Sequence, residues 1–242
     1  MSSFYLTRAR LSADFRRLGP ILFPGEQDRR MALSHRLVWT LFSETATERP
    51  FLYREMDVPG QRPGQDGFII LSREAPEDRM GLFTLDTKPF APVLKAGDRL
   101  GFSLRANPSV QTSEDENGKR KTRRHDVVMR ALHAIPAAER AEARPRLIRE
   151  QGLAWLSRQA EKSGFSLPDP DGVAIDGYEQ FDVDPENRRR MDKRGRKRAV
   201  HSRLDFSGVL RVEEPEAFLA RVVSGFGRAR AFGHGLMLLR RA

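Results

Sequence analysis

The chain has 242 residues, a length that suits one large domain or two small ones. Its 43 Lys and Arg residues outnumber 33 Asp and Glu, the formal net charge is +10, and arginine is much commoner than lysine. The absence of cysteine excludes disulfides, cysteine-type zinc sites and thiol nucleophiles, and the five histidines show no metal-ligand spacing. This charge favours a polyanionic partner, nucleic acid ahead of an anionic membrane surface, although a basic solvated surface has the same composition.

Two further features bear on the compartment. No apolar run approaches the length of a membrane span, and the first ten residues lack the apolar core of a signal peptide. We therefore expect a soluble, cytoplasmic protein without a membrane partner.

The first half of the chain follows a strand, helix, strand, strand pattern. Residues 4–11 alternate apolar and polar side chains, as a strand does, and residues 28–43 have helical periodicity. His35 lies on or beside the apolar face of this helix, where a core-edge histidine and a functional one are both possible. Strand-like runs follow at 51–56, 67–72 and 82–85, and residues 88–97 are predicted to be a linker.

The second half contains more strands and two helical regions. We predict strands at 98–108, 165–167, 173–181 and 201–212, a helix-rich stretch at 131–160, a helix at 216–223 and a final strand. Residues 109–125 are polar and are predicted to be a loop. This order fits an α+β fold of two tandem ferredoxin-like (RRM-like) βαββαβ domains, residues 1–90 and 98–242, better than a Rossmann sheet.

Two basic segments interrupt the second half. One is a cluster at the end of the polar loop, Lys119, Arg120, Lys121, Arg123 and Arg124. The other, residues 188–198, contains eight Lys or Arg residues with one Asp and one Gly. So charged a run cannot be core, which leaves a solvated loop or an arm that follows a phosphate backbone. The net charge favours the arm.

A glycine-rich loop precedes the last strand. Residues 224–236 contain four glycines together with Arg228, Arg230 and His234. Glycine permits positive φ and lets backbone N–H groups approach an anion, and arginine adds charge-assisted bonds to phosphate. The loop lacks the nucleotide-binding fingerprints, because no Gly-Lys-Ser/Thr follows and no helix begins there. An anion-binding loop and a plain turn with solvated arginines both remain open.

Several segments, taken in order, resemble one family. They are Tyr5-Leu-Thr-Arg, His35-Arg-Leu-Val-Trp-Thr-Leu-Phe, Arg49-Pro-Phe-Leu-Tyr-Arg, Leu100-Gly-Phe-Ser-Leu-Arg-Ala-Asn-Pro, Ala154-Trp-Leu and Gly225-Phe-Gly-Arg-Ala-Arg-Ala-Phe-Gly-His-Gly-Leu. The chain resembles CasE, the repeat-processing endoribonuclease of the type I-E CRISPR complex Cascade, almost from end to end.

The resemblance implies two tandem ferredoxin-like domains and binding of the hairpin in the CRISPR repeat. It implies one cut of precursor CRISPR RNA at the 3′ base of the stem, after which the product is retained in Cascade, next to the backbone subunit nearest the 3′ end of the guide. It also implies a catalytic histidine at His35. The family often has a tyrosine three residues earlier, where this chain has Ala32.

The chemistry of such a cut needs no metal or other cofactor. The 2′-OH attacks the adjacent phosphate, histidine moves protons, and a cation stabilises the phosphorane. We expect His35 as general base or acid, and a basic residue between Arg194 and Arg203, with Arg198 selected, at the scissile phosphate. The residues expected to contact RNA are Arg36, Arg105, Lys119, Arg120, Lys121, Arg123, Arg124, Arg188, Arg189, Arg190, Lys193, Arg194, Arg196, Lys197, Gly225, Gly227, Arg228, Arg230, Gly233 and Gly235. A non-catalytic RNA-binding subunit with the same fold is the alternative.

Overall fold

The computed structural model describes residues 4–15, 17, 27–43, 49–57, 66–116, 119–182 and 200–242. Its strands are β1 (Tyr5–Leu11), β2 (Phe51–Glu55), β3 (Gly67–Ser72), β4 (Phe83–Pro89), β5 (Arg99–Ala106), β6 (Ser109–Glu116), β7 (Lys119–Asp126), β8 (Phe165–Ser166), β9 (Ala174–Asp182), β10 (Val200–Val212) and β11 (Met237–Arg241). Its helices are α1 (Gln27–Trp39), α2 (Val127–His133), α3 (Arg140–Glu161) and α4 (Pro215–Ser224), with 3₁₀ turns at Ala137–Glu139 and Arg230–Phe232.

The first sheet has the strand order β2-β3-β1-β4, and each neighbouring pair is antiparallel. Burial in β1 alternates, with Thr7, Ala9 and Leu11 inside and Arg8 and Arg10 exposed. The buried face therefore includes Thr7, while the apolar Phe4 and Leu6 are only partly buried. Helix α1 connects β1 with β2, as the first helix of a ferredoxin-like unit does. Residues 73–82 connect β3 with β4 without a helix, at the place where the βαββαβ pattern has its second helix.

The second sheet has the order β11-β5-β10-β8, and β9 also pairs with β10. Helix α3 covers it through Trp155, whose ring stacks on Phe206 of β10 at 5.5 Å between centroids. Helix α4 begins with Pro215 in its first turn and buries Phe218 and Val222. No helix within the described ranges is long and apolar enough to cross a membrane.

The polar segment predicted to be a loop is instead a β-hairpin, so that prediction is wrong. Strands β6 and β7 pair from Ser109 with Asp126 to Glu116 with Lys119. The hairpin ends at Asp126, whose carboxylate accepts a hydrogen bond from the Met129 backbone N–H at 2.6 Å and so caps α2. The basic residues of this segment therefore lie on a strand.

The two sheets meet through a shared core. Leu52 and Leu71 of the first sheet are buried in the hydrophobic cluster of the second half. The Tyr53 hydroxyl donates a hydrogen bond to the Ala231 carbonyl at 3.1 Å, which ties β2 to the glycine-rich loop. Each sheet uses strands from one part of the chain, and this supports our proposed division into domains at residues 1–90 and 98–242. The glycine-rich loop lies where they meet.

Candidate functional site

His35 lies on the last part of α1, half-buried, beside the rings of Trp39, Phe51 and Phe232. Its ring centre is 6.5 Å from that of Phe51 and 6.4 Å from that of Phe232. The Trp39 indole N–H, one helical turn further on, donates a hydrogen bond to His35 Nε2 at 2.9 Å. Because an indole N–H only donates, Nε2 carries a lone pair and the neutral ring has its proton on Nδ1. At Nε2, His35 therefore has a side-chain partner from its own helix.

Arginines surround this imidazole. Burial lowers the pKa of His35, and the positive charges of Arg49 and Arg36 lower it further. Burial and the charge of Arg230 likewise lower the pKa of Arg49, whose buried Nε has no hydrogen-bond partner among the described residues. A neutral imidazole thus stands among cations that repel one another. An incoming phosphate would relieve that repulsion.

A second histidine, His201, lies on the other side of the interface between the two halves. It is at the start of β10, opposite Phe181 of β9, and its ring stacks on that phenyl ring at 6.0 Å. Its ring centre is also 6.2 Å from that of Phe232. Burial and the positive charge of Arg228 lower its pKa. Phe232 therefore contacts both histidines, one from each half of the chain.

The glycine-rich loop positions Phe232. The four predicted glycines, Gly225, Gly227, Gly233 and Gly235, have φ values of 81°, 70°, 77° and 89°, in the region that disfavours other residues. The Phe226 backbone N–H donates to the Gly235 carbonyl at 2.9 Å, and the Gly235 N–H donates to the Arg105 carbonyl at 2.7 Å. These bonds close the loop on itself and fasten it to β5.

Close packing explains these glycines without a bound anion. A Cβ at Gly235 would lie 2.6 Å from the Phe226 carbonyl oxygen, and one at Gly227 would lie 2.9 Å from the Asn107 carbonyl oxygen. At Gly233 the nearest atom would belong to the Tyr53 ring, at 3.2 Å. The sequence predicts that bulky replacement at Gly227 or Gly233 damages RNA binding more than stability, but these contacts favour a loss of stability. The loop's exposed charge comes from Arg228.

His234, between two of these glycines, is buried. Its ring stacks on Phe181 at 5.2 Å, nearly parallel. Burial lowers its pKa to about 3, and the charges of Arg105 and Arg203 act in the same direction. It is therefore a neutral part of the packing beneath the site.

Arg105, expected to contact RNA, is turned inward. Its side chain is 8% exposed and forms ion pairs with Asp205 at 2.8 Å and with Asp57 at 3.0 Å. Burial opposes its charge, but these two carboxylates together raise its pKa. The same guanidinium and its hydrogen bonds outweigh burial and lower the pKa of Asp205. Because both carboxylates bind its guanidinium, Arg105 connects β5, β10 and the segment that follows β2. It is therefore not available to RNA.

The other predicted RNA contacts fall into three groups. The exposed ones are Arg36, Arg123, Arg124 and Arg228. Arg230 is half-buried near Arg49. The Arg124 Nε–H donates a hydrogen bond to the Gln111 side chain at 3.1 Å. Lys119, Arg120 and Lys121 lie on β7. The basic run and the selected phosphate ligand lie outside the described residues: Arg188, Arg189, Arg190, Lys193, Arg194, Arg196, Lys197 and Arg198.

Sequence reasoning missed His201 as a site residue. Its position three residues after the basic run was visible, but strand periodicity gave no sign that it shares Phe232 with His35. Among the described residues, no three His, Asp or Glu side chains are grouped so as to hold a metal ion.

A family model described as CRISPR associated protein matches residues 4–241 of the chain. The chain belongs to this family. The CasE resemblance is confirmed for this CRISPR-associated protein, and the likeness to solved structures confirms the α+β fold of tandem ferredoxin-like units.

Individual relatives agree with that assignment. A Thermus thermophilus protein named CRISPR-associated endoribonuclease Cse3 is 31% identical over 151 residues, which are 62% of this chain and 59% of that protein. The matched segment is thus under two thirds of the relative's length. A structure of CRISPR endoribonuclease Cse3 bound to a 19-nucleotide RNA is 26% identical, with a TM-score of 0.60 over 98% of this chain and 99% of that one. Cas6e from Escherichia coli K-12 is 21% identical, with a TM-score of 0.58 over 98% and 100%.

Proposed function

We propose that this protein is a metal-independent endoribonuclease that binds the hairpin of the CRISPR repeat and cuts precursor CRISPR RNA at the 3′ base of the stem. The observation that carries the proposal is the half-buried, neutral imidazole of His35 beside Arg49 and Arg36. The relative named as an endoribonuclease and the related structure with bound RNA support the same substrate class.

The reaction uses groups that the site supplies. A base removes the proton of the 2′-OH, the 2′-oxygen attacks the adjacent phosphorus, and the 5′-oxygen leaves after an acid protonates it. Arg49 and Arg36 would stabilise the extra negative charge on the phosphorane. The products are a 2′,3′-cyclic phosphate and a 5′-hydroxyl.

His35 must change its hydrogen bond to take part. In the free protein its Nε2 lone pair accepts the Trp39 N–H, and Nδ1 carries the ring proton. A proton arriving at Nε2 would meet the indole N–H, so protonation breaks that bond. If bound RNA moves the imidazole away from Trp39, the Nε2 atom becomes available to act as a base or, once protonated, as an acid.

RNA contacts follow from the exposed charge. Double-stranded RNA presents shape and phosphate more than base edges, which suits arginines on a strand such as Arg123 and Arg124. We propose that the basic run of residues 188–198 contacts the stem, and that the protein meets its RNA in the cytoplasm. We further propose that the protein keeps the cleaved RNA within Cascade, beside the backbone subunit nearest the 3′ end of the guide.

The product chemistry tests this proposal. A labelled repeat hairpin is incubated with the protein in chelator, and a second hairpin carries 2′-deoxyribose at the scissile nucleotide. We expect cleavage of the first only, with a 2′,3′-cyclic phosphate or its hydrolysed form at the end. A 3′-hydroxyl, cleavage of the deoxy substrate or a need for divalent metal would overturn the mechanism.

A non-catalytic RNA-binding subunit is the second candidate. The observations that favour it are the engagement of His35 Nε2 by Trp39 and the presence of Ala32 where the resembling family often has tyrosine. It predicts tight hairpin binding without cleavage by the same protein preparation.

A further inference from the structure

The proposed reaction needs two proton transfers, and His35 is one group. The 2′-OH and the 5′-oxygen lie on opposite sides of the phosphorus in an in-line attack, so a second titratable group improves the reaction. Residue 32, one turn before His35 on α1, is alanine and has no titratable side chain. This position therefore supplies no second proton-transfer group.

His201, on β10, is a candidate for this second group. It faces the same phenyl ring as His35, with ring centres 6.2 Å and 6.4 Å from that of Phe232. The two imidazoles come from β10 and α1, so they approach the shared site from different halves of the chain. Phe181 stacks on His201 and fixes its ring plane.

The surroundings of His201 leave it free to react. Within the described part of the chain, no hydrogen bond holds either of its ring nitrogens, in contrast to His35. It is half-buried, and Arg228 is the charged group that acts on it. The charge of Arg228 acts on His201 as that of Arg49 acts on His35. A phosphate bound near the two histidines would therefore meet a cation from each half of the chain.

We propose that His201 is the second proton-transfer residue of the cleavage site, paired with His35. This inference rests on the proposed nuclease function. One neutral imidazole takes the 2′-OH proton as the 2′-oxygen forms its bond to phosphorus. The other, protonated, gives its proton to the 5′-oxygen as the bond between phosphorus and that oxygen breaks. Each histidine then exchanges its proton with water, and no oxidant or metal is consumed.

The test is single-turnover cleavage of the repeat hairpin by wild type, His201→Ala and His201→Asn, with His133→Ala as the control. His133 is exposed at the end of α2, outside the site. We expect both His201 variants to cleave at least about 100-fold more slowly, which is the range of general acid–base catalysis. Hairpin affinity should stay within about threefold of wild type. The melting temperature should be unchanged, because the aromatic rings that it contacts among the described residues are those of Phe181 and Phe232 and its loss removes little packing.

Two further readouts separate a catalytic role from a structural one. Added imidazole should restore part of the cleavage rate of His201→Ala and should leave the wild-type rate unchanged. A hairpin with sulfur in place of the scissile 5′-oxygen, a leaving group that needs no acid, shows which role is lost. If His201 is the acid, His201→Ala should cleave this substrate as fast as wild type does. If His201 is the base, His201→Ala should still cleave it slowly, and His35→Ala should cleave it as fast as wild type does.

The outcomes distinguish the two proposals. If the His201 variants cleave as fast as wild type, His201 is not catalytic and the nuclease function stands. The same conclusion holds if their slower cleavage is fully explained by weaker hairpin binding or a lower melting temperature. If wild type binds the hairpin without cutting it, both proposals fail together.

Discussion

Replacing Gly235 by alanine tests whether the glycine-rich loop serves the fold or the RNA. Gly235 has φ of +89°, and a Cβ there would lie 2.6 Å from the Phe226 carbonyl oxygen, a backbone atom that cannot rotate away. Gly81 provides a matched control, since its φ is +69° and no atom lies within 4 Å of an added Cβ. Both substitutions have the backbone penalty, and Gly235→Ala alone adds the clash.

The left-handed conformation costs a non-glycine residue about 1–2 kcal/mol, which is the expected loss in Gly81→Ala. Overpacking adds about 1–3 kcal/mol, so Gly235→Ala should lose about 2–5 kcal/mol of unfolding free energy. For a chain of this size the extra term lowers the melting temperature by about 2–12 °C beyond the control.

The assay is thermal unfolding of both variants, followed by hairpin binding at a temperature where each is folded. We expect Gly235→Ala to melt well below Gly81→Ala and to bind RNA normally while folded. Equal melting temperatures combined with lost RNA binding in Gly235→Ala would refute this reasoning and restore an anion-binding role.

Three other substitutions test the groups around the site. Trp39→Phe should raise the pKa of His35, because the indole N–H bonds only the unprotonated Nε2; an NMR titration of the ring that gives an unchanged or lower pKa contradicts this. Arg105→Met should reduce the unfolding free energy by about 2–4 kcal/mol, since it leaves Asp205 without its partner. The pKa of Asp205 is lowered in the fold, so its ionised form stabilises the protein above the ordinary pKa, and this stabilisation is lost as the pH falls. In urea unfolding from pH 7 to 3, the unfolding free energy of Arg105→Met should therefore fall less steeply than that of wild type. Parallel curves would refute the pairing. His234 stays neutral while the unfolded chain protonates it, so wild type should lose up to about 1.4 kcal/mol per pH unit below about 6.5, a loss that His234→Met lacks; equal pH slopes would show that burial does not suppress its protonation.

Local patterns predicted most of the strands and helices. Alternation in residues 4–11 and the apolar face of α1 depend on neighbours in sequence, and the structure agrees within a few residues. The hairpin β6–β7 was missed because its strands are polar on both faces, so no apolar alternation marks them. The Asn117-Gly118 pair between them is a hairpin turn signal that could have found it.

The site was only partly predictable, since it depends on contacts across the interface. His35 was selected with the help of the family resemblance, because helical spacing identifies a face and not a role. Nothing local indicates that Arg105 turns toward Asp205, 100 residues later, or that His201 and His35 share Phe232. Charge in the sequence identified the basic residues but could not tell an exposed arginine from a buried one such as Arg105, which two carboxylates neutralise.

The most direct test of the central claim is metal-free cleavage of a labelled repeat hairpin by wild type and His35→Ala, with binding measured in parallel. His133→Ala controls for the loss of a histidine elsewhere. We expect wild type and His133→Ala to cut at the base of the stem, while His35→Ala binds equally well and cuts at least about 100-fold more slowly. Equal cleavage by His35→Ala would show that His35 is part of the packing and that the reacting phosphate lies elsewhere.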